Sequence, residues 1–181
     1  MILAVDIYYP TETDYTAAGV LFEDFSSKEE IETIKITRKG ILKPYIPGKF
    51  KERELPCILQ LLKEIDLERL DTIIIDGYAN LVDEHGLPLE TLGKTLHTYL
   101  KTEGWNICII GVAKTKFKDS AMSNCKAIYR GKEAQTPLYV SSIGDNNISN
   151  SEIAEKIKNM YGLYRLPNMI RLADRISKGK E

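Results

Sequence analysis

Histidine, cysteine and tryptophan are scarce in this chain of 181 residues, which holds two, three and one of them. Cys57, Cys108 and Cys125 are scattered and odd in number, so they suggest no disulfide framework, and no Cys/His spacing of a zinc site occurs. No apolar run is long enough to cross a bilayer. The N-terminus lacks the basic region and cleavage site of a secretory signal. A cytoplasmic location without a membrane partner is therefore expected, in keeping with reduced thiols. A formal net charge of -1 and a sequence pI of about 6.2 exclude a globally basic nucleic-acid binder. No repeat, low-complexity tract or linker divides the chain. With 43% hydrophobic and 28% charged residues it suits one domain spanning 1–181, expected to be a monomer.

What is present is a run of short elements. "MILAVDIYY" reads as a buried strand, "YTAAGVLFEDF" as a second and "EEIETIKITRKG" as a third. Their short connectors predict an antiparallel meander. Leu55, Ile58, Leu59, Leu62 and Ile65 recur at helical spacing, predicting a helix from about Glu52 to Leu67 with Pro56 in its first turn. "LDTIIIDGY" is apolar on both faces, as a central parallel strand must be. A helix is predicted over 88–101, then the strand "WNICIIGVA", a hairpin from "AIYRG" and "PLYVSSI", a helix capped by Ser149 or Ser151, and a last helix opened by Pro167. Three meandering strands feeding a parallel extension predict an α/β fold with a ribonuclease H-like mixed sheet flanked by helices.

Two acids break the apolar pattern. Asp6 lies between Val5 and Ile7, and Asp76 ends a strand just before Gly77. Burying an unpaired carboxylate costs several kcal/mol, roughly, so each needs a reason. A strand-end salt bridge would serve Asp6, and an Asp-Gly turn would serve Asp76. In a ribonuclease H-like sheet, however, the two strands are neighbours and the carboxylates face each other. Such a pair repels unless a divalent cation joins it, and oxygen-only ligands favour Mg²⁺ or Mn²⁺. Glu54 is either a solvated residue favouring its helix N-terminus or a third carboxylate of that site. Lys114, just past a strand, is either a loop lysine or a group that steadies a phosphate oxygen or the attacking water.

Net neutrality hides local bias. Residues 35–53 hold seven cations and one acid, and residues 114–132 hold six cations and one acid. Each is either a solvated face or one wall of a phosphate-binding groove, in which Lys49, Lys51, Gly77 and Lys116 are candidate contacts. Inside the first stretch, Pro44 and Pro47 bracket Tyr45 and Ile46, and Gly48 follows. That is either a surface turn or a stiffened apolar tip whose insertion costs little ordering entropy.

Taken together, "AVDIYY", "PYIPG" followed by "RELP", "IIIDG", "GVAK", "YRLP" and "RLADR" resemble the endonuclease V family over most of the chain. The resemblance implies Mg²⁺-dependent cleavage at the second phosphodiester bond 3′ to a deaminated purine, hypoxanthine above all, in DNA or RNA. It implies that Asp6, Asp76 and Glu54 serve the metal and catalysis together with Lys114, and that 44–47 form a wedge inserted at the lesion. The family's Gly-x-x-His-Pro-Arg, which begins two residues after Gly77, is replaced by Ala79, Asn80, Leu81, Val82, Asp83 and Glu84. A histidine near the next helix becomes Thr91, and a Gly-His-x-x-Ser context reads "SIGDNNIS", with Asp145 or Asn146 nearest the histidine. His85 is expected on a surface loop and His97 on a helix surface. Three functions follow: a nuclease of nucleic-acid repair or processing, a catalytically weakened nucleic-acid-binding relative, or a ribonuclease H-like nuclease with another structured substrate.

Overall fold

Alternate residues of the first strand enter two different cores, and that alternation organises the molecule. The structure is a computed structural model describing residues 1–40, 50–117, 124–131, 135–144 and 148–180. Its strands are β1 (Ile2–Tyr8), β2 (Tyr15–Phe22), β3 (Glu32–Arg38), β4 (Thr72–Asp76), β5 (Cys108–Ala113), β6 (Lys126–Ile128) and β7 (Leu138–Ile143). They form one sheet in the order β3-β2-β1-β4-β5-β7-β6. β1, β4 and β5 run parallel, while β2 and β3 on one side and β7 and β6 on the other are antiparallel. The expected meander, parallel extension and late hairpin are all present, which is the ribonuclease H-like arrangement.

Leu3 and Val5 pack with Ile58, Leu61, Leu96 and Leu100 under the helices α1 (Phe50–Leu62) and α2 (Leu92–Thr102). Ile2 and Ala4 pack on the other face with Ile153, Ile157, Ala173 and Ile176 of α3 (Asn150–Asn159) and α4 (Asn168–Ser177). Ser149 resolves the choice of cap for α3. It accepts from the Glu152 amide at 3.2 Å, and Glu152 accepts from the Ser149 amide at 2.9 Å. Among the described residues no helix is long and apolar enough to cross a membrane.

Two helices are shorter than their apolar spacing predicts. α1 ends at Leu62 because the next amides turn back three residues, and Asp66 then caps a separate 3-10 turn over Leu67–Arg69. α2 begins four residues after Pro88, because Pro88 bridges to Val82 in a small hairpin. Asp83 holds that hairpin by accepting from the amides of His85 and Leu87, each at 2.8 Å. Thr91 starts α2 by accepting from the Lys94 amide at 3.1 Å. His85 is exposed as expected, but His97 is buried at 8% exposure on the inner face of α2, not on its surface.

Candidate active site

The register of the parallel strands brings the acids together. Ala4 of β1 lies opposite Ile74 of β4, and two residues further along each strand stand Asp6 and Asp76. The next strand, β5, delivers Lys114 one residue past its end. Lys114 Nζ lies 2.7 Å from Asp76 Oδ2. Gly77 turns the chain away with φ 106°, a backbone that side-chained residues rarely adopt. The loop it starts lies tight on β5: a Cβ on Gly111 would sit 2.4 Å from the Ala79 amide nitrogen and 2.5 Å from the Gly77 carbonyl oxygen.

Groups from both faces of the sheet converge on these strand ends. From α1, Glu54 reaches the cavity with only 6% exposure, so the solvated alternative for it is overturned. Asp6, Tyr9, Glu54 and Asp76 line one cavity of about 240 Å³ with Val5, Ile7, Ile58 and Ile75. The Tyr9 hydroxyl donates to Glu54 Oε1 at 3.1 Å, and the Arg53 guanidinium lies 4.1 Å from the centre of the Tyr9 ring. From α4, the buried Ser177 hydroxyl donates to Asp6 Oδ2 at 2.5 Å.

The charge balance is strained. Burial, with smaller contributions from Asp76 and Asp6, pushes the Glu54 carboxyl up to about 8 against the pull of Tyr9. Burial also raises Asp6, opposed by the Ser177 hydrogen bond and reinforced by Asp174 and Asp76. Burial drags the Lys114 ammonium down, but Asp76, then Asp6 and Asp174, more than restore it, so its net direction is up. Tyr9 is raised by burial and by Glu54. The site therefore crowds together more carboxyl groups than Lys114 can neutralise, and burial opposes the ionisation of Glu54 and Asp6.

That excess, and a donor set made only of oxygen, fit a hard divalent cation held by Asp6, Asp76 and Glu54. Among the described residues no three His, Cys, Asp or Glu side chains stand together at metal-holding distance. Each carboxylate is instead engaged by its own partner: Ser177, Tyr9 or Lys114.

Three participants were not singled out from the sequence: Tyr9, Asp174 and Ser177. Asp174 belongs to the quoted "RLADR" and acts electrostatically on both Asp6 and Lys114. It also pairs with Lys178 one turn further on, at 2.5 Å, a local i, i+4 explanation that hides its part in the site. The replacements Asp83 and Glu84 serve their own hairpin, and Glu84 lies 3.6 Å from His85. Thr91 also donates to the Ala79 carbonyl at 2.8 Å, tying the loop after Asp76 to α2. Of the expected nucleic-acid contacts, Lys51 pairs with Glu90 at 3.5 Å and Lys116 is exposed. Pro44, Tyr45, Ile46, Pro47, Gly48 and Lys49, and likewise Asp145 and Asn146, lie outside the described residues.

Acids on neighbouring parallel strands of such a sheet, with a lysine on the next, define a ribonuclease H-like protein. The chain belongs to the endonuclease V family, whose profile, described as Endonuclease V, matches residues 1–175. It is 26% identical over 196 aligned positions to an endonuclease V from Nostoc sp., covering 99% of this chain and 82% of that one. Its fold is similar to endonuclease V from Ciona intestinalis in complex with a 24mer DNA containing an inosine followed by a ribo-adenosine. That similarity has a TM-score of 0.71 at 18% identity, covering 99% of this chain and 84% of the other. The catalytic domain of human endonuclease V gives a TM-score of 0.70 at 17% identity over 98% and 80% of the two chains. An Argonaute from Marinitoga piezophila shares the fold at a TM-score of 0.56 and 10% identity, over 97% of this chain and 29% of that one.

Proposed function

We propose that this chain is a Mg²⁺- or Mn²⁺-dependent endonuclease that cuts a phosphodiester bond 3′ to hypoxanthine in DNA or RNA. The observation that carries this reading is the single cavity in which Asp6 of β1, Glu54 of α1 and Asp76 of β4 meet beside Lys114. The Ciona relative, held with inosine-containing DNA, supports the choice of substrate. Asp6, Glu54 and Asp76 would hold the divalent ion, which when bound would supply water activation and charge neutralisation at the leaving oxygen.

The chain's own residues do the rest. Ser177 fixes the orientation of Asp6, and Tyr9 fixes that of Glu54. With a carboxyl raised to about 8, Glu54 keeps its proton near neutrality until positive charge arrives in the cavity. Lys114 places an ammonium beside Asp76, where negative charge develops on the phosphoryl group. Lys51, Gly77 and Lys116 serve as strand contacts. Residues 44–47 serve as the wedge that fills the space an extruded base leaves, Gly48 and Lys49 contact the strand, and Asp145 or Asn146 adds an oxygen donor. The protein acts as a cytoplasmic monomer.

The test is incubation of paired inosine and control strands, as DNA and as RNA, with Mg²⁺, Mn²⁺ or EDTA. Metal-dependent nicks confined to inosine strands are expected. A second reading is a nucleic-acid-binding relative that cuts poorly. It is favoured by the carboxylates' engagement with protein partners and by Asp83 and Glu84 where the family has positive charge. Inosine-selective binding without nicks would establish it.

A further inference from the structure

Three large apolar side chains stand in the open on one short turn between α3 and α4. Tyr161 is 49% exposed, Leu163 72% and Tyr164 59%. The turn is firmly held from beneath. Arg130, itself only 7% exposed, donates to the carbonyls of Met160 at 2.6 Å, Tyr164 at 2.7 Å, and Lys158 and Gly162 at 3.2 Å each. A buried guanidinium that spends its donors on one turn fixes an exposed aromatic surface in place.

Cations decorate that surface. The Arg171 guanidinium stacks 3.7 Å from the centre of the Tyr164 ring, and Lys28 Nζ lies 5.8 Å from that of Tyr161. Stacking occupies the face of a guanidinium and leaves its N–H edge free for phosphate oxygens. Lys28, Tyr164, Arg171 and Arg175 share a cavity of about 240 Å³ in which Glu30 is the one carboxylate. At about 1.5 Å per residue, Arg171 lies roughly 9 Å along α4 from Ser177, which touches Asp6.

We propose that this surface is an accessory binding site for a nucleic-acid strand, outside the acidic cavity: Lys28 and Arg171 bind phosphates and Tyr161 and Tyr164 carry bases. It rests on the reading that the chain acts on nucleic acid. It predicts that affinity depends on strand length beyond the segment at the acids.

The test is fluorescence anisotropy in EDTA with inosine strands lengthened stepwise on either side of the lesion, and inorganic phosphate as competitor. The wild type is compared with Lys28→Ala/Arg171→Ala, and with Lys28→Ala alone should the double variant unfold. Wild-type affinity should rise in a step once the strand reaches the patch. The double variant should lose the step and gain about sevenfold less affinity than the wild type when salt falls from about 200 to about 50 mM, the share of two phosphate contacts on a single strand. Its cleavage of the shortest cut strand should be unchanged. A step and salt slope that survive in the variant, with wild-type cleavage intact, overturn this site alone. Competition by free phosphate without any length step overturns it in favour of a small-anion site. Binding and cleavage of no strand overturn it together with the nuclease reading.

Discussion

Replacing Glu54 by Gln should make the metal-free protein more stable in alkali while destroying its activity. Glu54 titrates near 4.5 when exposed and is pushed up to about 8 in the fold, chiefly by burial. The folded value exceeds the unfolded one. Its favourable contribution is therefore complete below pH 4.5 and is lost as the pH climbs through about 8. At about 1.4 kcal/mol per pKa unit, the gap is worth about 5 kcal/mol. Glutamine is never charged and avoids that loss. Urea unfolding in EDTA should show wild type and Glu54→Gln within about 1 kcal/mol at pH 4.5, where both side chains are neutral. At pH 9 the variant should be more stable by about 3–5 kcal/mol, a rise in Tm of roughly 6–20 °C at 2–4 °C per kcal/mol. Mn²⁺ should narrow the gap at pH 9, because the wild type offers it a third carboxylate where the variant offers an amide. Equal pH dependence of the two proteins, or a less stable variant at pH 9 in EDTA, would refute the assignment of Glu54 as a buried, charge-crowded acid.

Further outcomes follow from the same geometry. Asp76→Asn should abolish the heat of Mn²⁺ binding in calorimetry, and unchanged heat would remove Asp76 from the metal set. Lys114→Ala should lower the single-turnover cleavage rate about 10²–10³-fold with little change in strand affinity; a loss confined to affinity would make Lys114 a binding residue. Gly111→Ala forces a Cβ against the Ala79 and Gly77 backbone and should cost at least about 1–3 kcal/mol in denaturant unfolding; a neutral result would show that the loop can move away. Tyr45→Ala should weaken preference for inosine over control duplex more than it weakens total affinity, and equal losses on both would reduce the tip to a surface contact.

The strands and their order were legible because the apolar runs are short, branched and bounded by turn residues. Asp6 and Asp76 were legible for a physical reason as well, since a carboxylate inside such a run demands compensation. The Ser177 contact was not, because it joins residues 171 positions apart and a serine at a helix end has many local explanations. Tyr9 was hidden among three tyrosines near one another in sequence, and only the first turn of α1 selects it. His97 was misplaced because a histidine on an amphipathic helix can face either way, and α2 packs that face on the sheet. Helix ends were misjudged where a local carboxylate won: Asp66 closes one turn and Asp83 another, against an apolar spacing that runs on.

The acids at the ends of β1 and β4 are proposed to cut nucleic acid at deaminated adenine. End-labelled strands with a single inosine, and matched adenosine controls, should be incubated with the wild type and with Asp76→Asn, in Mg²⁺ or in EDTA, and mapped to single-nucleotide resolution. One nick on the 3′ side of inosine is expected, present only with the wild type and the metal. Nicks that persist in Asp76→Asn or in EDTA, or that fall equally on the adenosine strand, would contradict it.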